Sequence, residues 1–544
     1  MEIIISVIGG LGLLLYGMSL MGEALQKAVG NKMRDIIGAL TKNKYMGALV
    51  GCVVTILVGS SSATTVMTIG FVNAGVMTLD QAVGIIIGSN LGTTVTAQLI
   101  ALNLDAIAPL VAGIGVFVIL LSKSKKRMRS IGEIMFGFGL IFLGMSMMKS
   151  GLEPLQNEPW FTEFFYKLDN PFVGLLVGLG LTTLVQSSAA SIGLMQALAA
   201  EGFLTINQAF PVLFGDNIGT TTTGLISSIG TNRNGKRTAF MHFMFNVVGT
   251  ILFMTLLRIP IQRVVIYLSP DNPARQIANA HTLFNLVNIF IQLPFSSFLV
   301  KAARFFVPGG ETDERSYSTY LDDRVLRTPS IALDAARKEI ERMADLALSN
   351  IERAELSIST GSEVEIESVA EYEETINHLE EEIVEYLVKL GRENLSEDQY
   401  SDLNTMMSMT TDLERVGDHA TNLAELAHYM NEERIQFSED ALGDAQAIIE
   451  KAIAALDNAM NAFKHDDMHR ARAVFAIEDE VDAMEKKFRR EHMDRLADGS
   501  CMPPVGVVFL DVLTNIERVS DHANNIATYL IENEAERKIT YKIR

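Results

Sequence analysis

Gly59-Ser60-Ser61-Ser62-Ala63-Thr64 sits inside one apolar run, and Gly88-Ser89-Asn90-Leu91-Gly92-Thr93-Thr94 sits inside the next. Both stretches return further along the chain, as Gln186-Ser187-Ser188-Ala189-Ala190-Ser191 and Gly215-Asp216-Asn217-Ile218-Gly219-Thr220-Thr221. The copies, Gly47 to Thr96 and Gly174 to Thr223, superpose without a gap: Gly59 falls on Gln186, Gln81 on Gln208, Asn90 on Asn217. About 20 of about 50 positions are identical, where chance gives roughly 3. The phase holds upstream, where Gly17-Met18-Ser19 falls on Gly144-Met145-Ser146. Polar motifs repeated inside apolar segments are the sequence pattern of a transporter's binding site.

With 544 residues the chain exceeds one ordinary domain. It is a series of apolar runs to about Val300, and charged, acidic and helix-favouring from about Arg304. The net charge of −20 comes mainly from the second part, which argues against a nucleic-acid partner. Cys52 and Cys501 lie in different parts and support neither a disulfide framework nor a cysteine-ligated zinc site. Ile3–Met21 has signal-peptide length, but Glu2 replaces a basic n-region and the run recurs at Met135–Met148, so it reads as structure.

Ile3–Met21 is long enough to span a bilayer core of about 30 Å. Met46–Ala74 is interrupted by the serine turn near its middle; each arm is about 12 residues, or roughly 18 Å of helix. It therefore reads as a re-entrant hairpin, with one long tilted helix as the alternative. Thr78-x-x-Gln81 and Thr205-x-x-Gln208 are capping boxes that start the following helices. The Gly-x-Asn-x-Gly-Thr-Thr stretches come about ten residues later, near the midplane, and their glycines and β-branched residues predict broken helices. Ala106–Leu121 is a third span.

Charge bias then favours the hairpin: only if Met46–Ala74 returns to its own side do both basic loops, Lys27–Lys44 and Lys123–Arg129, share the cytoplasmic face. Each repeat then crosses three times, so the copies are inverted. Two more spans, about Thr238–Leu257 and Ile277–Val300, return the chain to the cytoplasm. The fold class is all-α: a polytopic membrane protein with inverted repeats (about 1–122 and 130–257) and re-entrant hairpins, a last helix at about 277–300, and a cytoplasmic helical-bundle domain. The membrane part covers about 1–305, a linker 306–330, and the bundle 331–544. The bundle holds roughly six amphipathic helices, with Ile340, Met343, Ala347 and Ile351 at helical spacing and a capping box at Ser396-x-x-Gln399. Glu414-Arg415-Val416-Gly417-Asp418-His419 echoes Glu517-Arg518-Val519-Ser520-Asp521-His522, as in two tandem three-helix bundles.

No Lys or Arg occurs from Met46 to Leu121 or from Pro171 to Asn232. Recognition there must use hydroxyls, amides, backbone groups and bound cations. Each serine turn opens a returning helix, whose free N–H groups and positive dipole end suit an oxyanion. Ser60, Ser61, Ser62 and Thr64, with Ser187, Ser188 and Ser191, add hydroxyls; Asn90 and Asn217 add amides. Thr93, Thr94, Thr220 and Thr221 offer oxygens to a small hard cation, and Asp216, a carboxylate at midplane depth, is a functional candidate by default. Cation-coupled anion transport follows, with sodium offsetting the anion's charge. Small residues in the serine turns also pack helices, and Asp216 also suits a structural pairing with an amide or hydroxyl. His242-x-x-Phe-Asn246 and His281-x-x-Phe-Asn285 form a smaller echo whose simplest role is capping or helix contact. In the second part Glu414 and Asp418 share a helix face, as do Glu517 and Asp521. Such pairs suit metal ions, with a salt-bridged face using Arg415 and Arg518 as the plainer reading; Glu478, Asp479 and Glu480 carry less weight.

At these residues the chain resembles the sodium–phosphate cotransporter type II family, marked by paired Gln-Ser-Ser hairpin turns in inverted repeats. The resemblance covers roughly residues 1–300. Gln186-Ser187-Ser188 matches the motif, which makes Gln186 an implied phosphate and sodium ligand; Gly59 departs from it and removes one amide. The resemblance implies sodium-driven phosphate movement, a site between the two hairpin tips, and homodimers among the lipids of the inner (cytoplasmic) membrane. Residues of about 330–535 resemble PhoU, a family of helical, metal-binding regulators of phosphate uptake, which implies a divalent or trivalent metal at Glu414, Asp418, Glu517 and Asp521. The leading expectation is a sodium-coupled phosphate symporter with a cytoplasmic regulatory domain. Its rivals are sodium-linked phosphate efflux, another oxyanion, and a non-transporting phosphate sensor. With no nucleophile–base pair and no Gly-x4-Gly-Lys-Ser/Thr loop, an enzyme is not expected.

Overall fold

A computed structural model describes residues 2–29, 43–102, 104–122, 126–309, 318–326, 328–393 and 395–543. Among these the chain is all-α, without a strand. It divides into two compact units, Met1–Glu314 and Arg315–Arg544.

In the first unit the copies repeat element by element. The first is α1 (Glu2–Val29), α2 (Lys44–Val58), α3 (Ser61–Asn73), α4 (Leu79–Ile100) and α5 (Ala108–Leu121). The second is α6 (Lys126–Leu152), a short α7 (Pro159–Tyr166), α8 (Pro171–Val185), α9 (Ser188–Ala200), α10 (Ile206–Gly219) and α11 (Thr221–Ser227). Equivalent residues start equivalent helices, because caps are local chemistry. Asn43 accepts from Met46 N at 2.9 Å and Asn170 from Phe172 N at 3.0 Å. Both expected capping boxes form, at Thr78/Gln81 and Thr205/Gln208.

Equivalent glycines set the packing. A Cβ on Gly51 would fall 2.2 Å from Ile85 O, and one on Gly178 would fall 1.9 Å from Val212 O, so α2 closes on α4 as α8 closes on α10. Gly10 meets Gly144 and Gly17 meets Gly137, so α1 and its counterpart α6 cross antiparallel with their backbones in contact.

The second copy closes with α12 (Arg233–Leu252), the counterpart of α5 in repeat register, and a π-helical turn (Phe253–Leu257); α13 (Arg258–Leu268), α14 (Pro273–Gln292) and α15 (Ser296–Phe306) follow. Ile3–Leu25, Leu79–Ile100, Met128–Leu155 and Arg233–Leu268 are long and apolar enough to cross a membrane.

Four expectations are corrected here. The span expected at Thr238–Leu257 runs on to Leu268. The third span is shorter than expected, 14 residues beginning at Ala108 with proline in its first turn. The last span, Ile277–Val300, is instead two helices bent by 83°. Pro294 lies in the break; it lacks the N–H that would continue the helix's hydrogen bonds. Lys44 Nζ donates to the Pro294 carbonyl at 2.9 Å. The helix expected to break at Gly88–Thr94 is continuous from Leu79 to Ile100. Its hydroxyls bond inward, Ser89 to Ile86 O, Thr93 to Ser89 O and Thr94 to Leu91 O, and Gly88 is pressed against Ala48 O. In the second copy two helices meet at Thr220, which itself keeps helical dihedrals, φ −56° and ψ −29°. Residues 30–42 and 123–125, which carry much of the basic-loop charge, lie outside the described residues.

The second unit has α16 (Pro329–Thr360), α17 (Glu363–Leu390), α18 (Glu397–Glu433), α19 (Glu439–His465), α20 (Met468–Ala497) and α21 (Pro503–Ile543). α16, α17 and α18 pack together, as do α19, α20 and α21, and α18 lies along α21. Ile340, Met343, Ala347 and Ile351 are buried. Glu339, fully buried, accepts the N–H groups of Thr319 and Tyr320 and the Arg342 guanidinium, which fixes the segment entering this unit.

Candidate functional site

Each serine turn reverses the chain. Gly59 and Gln186 hold the left-handed conformation, φ 75° and 54°, and their N–H groups close α2 and α8 on Thr55 O and Thr182 O. Ser60 and Ser187 then cap α3 and α9, accepting from Ala63 N at 3.2 Å and Ala190 N at 3.3 Å. Across the first turn Thr55 Oγ1 lies 3.0 Å from Thr64 Oγ1; across the second, Thr182 Oγ1 lies 3.1 Å from Ser191 Oγ. Residues nine apart in a straight helix are separated by roughly 13.5 Å, so these contacts require the arms to fold back. Ser61, Thr64, Ser188 and Ser191 are buried, Ser60, Ser62 and Ser187 half-buried, and Gln186 exposed. The first N–H groups of α3 and α9 have no intrahelical acceptor, and the serine hydroxyls stand beside them. Thr55 and Thr182, the hydroxyls that clamp the hairpins, were not singled out from sequence, although they are identical in repeat register.

Asn90, Thr93, Thr94 and their counterparts Asn217, Thr220 and Thr221 are all buried. Asn90 Nδ2 donates to Ile86 O and Asn217 Nδ2 to Leu213 O; Thr220 and Thr221 bond back to Asp216 O and Ile218 O. The copies brace each other: α3 packs on α11, and α9 packs on α4, where Gln196 Nε2 donates to Ala97 O at 3.0 Å. Each hairpin's returning helix thus touches the other copy just past its Asn-Thr stretch, α3 at Gly224 and α9 at Ala97, which are equivalent in repeat register.

Asp216 breaks the equivalence. Its counterpart Ser89 bonds within its own helix, whereas Asp216, fully buried, accepts from the Thr182 hydroxyl of the hairpin through Oδ1. Oδ2 has no partner. A buried carboxylate with one bare oxygen suits a small cation. Sequence reading gave His242 a role in capping or helix contact; its Nε2 stands 3.4 Å from Asn90 Oδ1, which joins α12 to α4 at one of the serine–asparagine stretches.

In the second unit Glu414 and Asp418 lie on α18, and Glu517 and Asp521 on α21. Arg415 reaches Glu414 at 3.7 Å, and Arg518 reaches Glu517 at 3.6 Å and Asp521 at 3.2 Å. Among the described residues no three His, Cys, Asp or Glu side chains converge closely enough to hold a metal ion. The carboxylates nonetheless crowd. Gly417 lets Glu373 of α17 approach, since a Cβ there would stand 2.5 Å from Glu373 Oε2. Burial, reinforced by the charges of Asp418 and Glu414, raises the Glu373 carboxyl to about 7. Glu478 rises in the same way beside Asp482 and Asp521. Glu373 carries no local sequence signal; only the packing of α17 on α18 brings it here.

Residues 13–150 and 151–289 each match the Na+/Pi-cotransporter family, and residues 340–427 and 446–530 each match the PhoU domain. Over 537 residues, 98% of this chain and 98% of the relative, the chain is 23% identical to YjbB of Escherichia coli (strain K12), a protein named for inorganic phosphate export. Over 137 residues, 23% of this chain and 19% of the relative, it is 31% identical to the sodium-dependent phosphate transport protein 2B of Homo sapiens. Over 200 residues, 37% of this chain and 85% of the relative, it is 28% identical to the phosphate-specific transport system accessory protein PhoU homolog 1 of Thermotoga maritima. With both halves of its apolar unit matched, together half of its length, the chain belongs to the Na+/Pi-cotransporter family of phosphate transporters, as a multi-pass membrane protein that carries a PhoU domain.

Proposed function

We propose that this chain carries inorganic phosphate across the cytoplasmic membrane with sodium as coupling ion, as a homodimer whose PhoU domain lies in the cytoplasm and regulates the flux. One observation carries the reading: two serine-capped hairpins in register, within stretches that carry no Lys or Arg (46–121 and 171–232), each braced on the other copy, at Gly224 and at Ala97. Phosphate binds between helix N-termini and hydroxyls, Ser60, Ser61, Ser62 and Thr64 on one side and Gln186, Ser187, Ser188 and Ser191 on the other, with Asn90 and Asn217. Sodium neutralises it at Asp216, Gln186 and the threonines 93, 94, 220 and 221. The antiparallel contact of α1 with α6 supports inverted copies and hence alternating access.

The direction of net movement depends on the charge carried per cycle together with the sodium and phosphate gradients. Each net elementary charge is worth about 2.3 kcal/mol per 100 mV of potential. A cycle that binds few sodium ions and leaves the loaded carrier negative is driven outward by an inside-negative membrane. The full-length similarity to a protein named for phosphate export favours this outward reading, and Gly59, which contributes no side-chain ligand, is in keeping with a low sodium count.

The carboxylates of the second unit fit a metal ion in chemistry and only partly in placement. Glu414 and Asp418 with Glu373, and Glu517 with Asp521, would hold a divalent or trivalent cation after a side-chain adjustment; such an ion would cross-link the helices that bear them. Radiolabelled phosphate flux in proteoliposomes, with a sodium gradient and a membrane potential imposed separately, tests the transport reading. Flux that follows the sodium gradient supports coupling; flux indifferent to sodium overturns it.

A further inference from the structure

α14 has 20 residues, roughly 30 Å of helix, which is the thickness of a bilayer core. α15 therefore starts where α14 leaves that core. Bent by 83° from a crossing helix, it runs close to the membrane plane. Both of its ends are fastened to the membrane unit. Ahead of it Lys44 Nζ donates to Pro294 O at 2.9 Å. Behind it the Arg237 guanidinium of α12 donates to Val307 O at 3.0 Å and to Gly309 O at 2.8 Å.

The helix has three faces. Leu299, Val300 and Ala303 are buried where it packs on α12 and α4. Phe298 and Phe305, seven apart, make an exposed aromatic stripe at 71% and 78% exposure, with Phe295 and Phe306 beside them at 71% and 61%. Lys301 and Arg304 are exposed as well, and neither makes an ion pair among the described residues. At about 100° per residue the order around the helix is Phe306, Phe295, Phe298, Phe305, Lys301, Arg304. The exposed surface thus grades from aromatic to cationic. Its aromatic end is the deep one: the Phe306 ring lies 5.2 Å from that of Phe240 on α12. Phe240 lies 6.3 Å from Phe243, further along that span from its Arg233 end.

We propose that α15 is an interfacial anchor that binds anionic phospholipid. Its phenylalanines enter the acyl boundary, and Lys301 and Arg304 hold the phosphates of the headgroups above them. The position of the stripe favours lipid over a protein partner. It lies at the depth where α14 ends, with its rings toward the core and its charges away from it. The inference needs only the membrane placement of the first unit and is independent of which ion is carried.

Trp160 is the chain's one tryptophan, so a fluorescent reporter can be moved to the stripe. In a Trp160→Phe background, Phe298→Trp and Phe305→Trp chains are reconstituted at full length in vesicles of phosphatidylcholine and phosphatidylglycerol. Lipid brominated on its acyl chains should quench either reporter, and aqueous acrylamide should quench little. At equal mole fraction, brominated phosphatidylglycerol should quench at least about twofold more than brominated phosphatidylcholine. Lys301→Gln with Arg304→Gln should remove that difference. Quenching by acrylamide alone would put the stripe in water, and protection from both quenchers would put a protein surface over it; either result overturns the proposal. Equal quenching by the two lipids with both cations present also overturns it, as does a preference for phosphatidylglycerol that survives their removal.

Discussion

Gln186 holds a left-handed backbone that Gly59 adopts freely at the equivalent position. A non-glycine residue there costs about 1 kcal/mol or more. Gln186→Gly should therefore raise the unfolding midpoint while lowering phosphate affinity; a variant that is both more stable and fully active would remove the Gln186 side chain from the site. Thr182 and Thr55 differ in the same instructive way. Thr182→Val removes a hydroxyl donor from the buried Asp216 carboxylate, so it should destabilise by roughly 1–3 kcal/mol, and Thr55→Val by less. Denaturant titration of both decides this, with equal losses counting against the Asp216 contact. Asp216→Asn should stay folded and lose sodium affinity, read as a shifted half-saturation for sodium. An unshifted curve would leave Asp216 a structural residue. In the PhoU domain, burial and like charges hold Glu373 at about 7, above its ordinary 4.5. A carboxyl raised by folding contributes stability below the unfolded value that is lost as pH rises through the folded one. With a chelator present, Glu373→Gln should match the wild type below about pH 4.5 and become the more stable protein above about 7. Parallel stability–pH curves would contradict it.

At the scale of elements, most of the architecture was legible because helix starts are written locally. The boxes at Thr78/Gln81, Thr205/Gln208 and Ser396/Gln399 all form as read. Helix interiors were less legible. Glycines and β-branched residues at Gly88–Thr94 predicted a break, but back-bonded hydroxyls and the press of Gly88 on Ala48 keep α4 whole. The bend at Pro294 was missed because apolar sequence on both sides read as one span. Long-range partners had least signal: Glu373 and the His242–Asn90 contact depend on packing between helices far apart in sequence. The hairpin itself predicts an accessibility pattern. Tyr45, at the start of α2, and Asp80, at the start of α4, are both exposed. In a Cys52→Ser, Cys501→Ser background, Tyr45→Cys and Asp80→Cys should react with an impermeant thiol reagent from the same side of the membrane. Labelling from opposite sides would make residues 44–73 a crossing segment and remove the re-entrant turn.

Across the whole molecule, two copies of one hairpin-and-helix unit supply the same groups twice, and a few departures make the copies unequal. In repeat register Gly59 stands where the second copy has Gln186, and Ser89 where it has Asp216. Shared groups suit the tetrahedral anion, and the unequal ones suit its counter-ion. The most direct test is the phosphate affinity of purified protein in sodium and in potassium, for the wild type, Ser61→Ala and Ser188→Ala. Sodium should tighten wild-type binding about tenfold or more, and each substitution should weaken it by about 1–3 kcal/mol, roughly fivefold to more than a hundredfold. One affinity shared by all three proteins in both salts would contradict a sodium-coupled phosphate site at the hairpins.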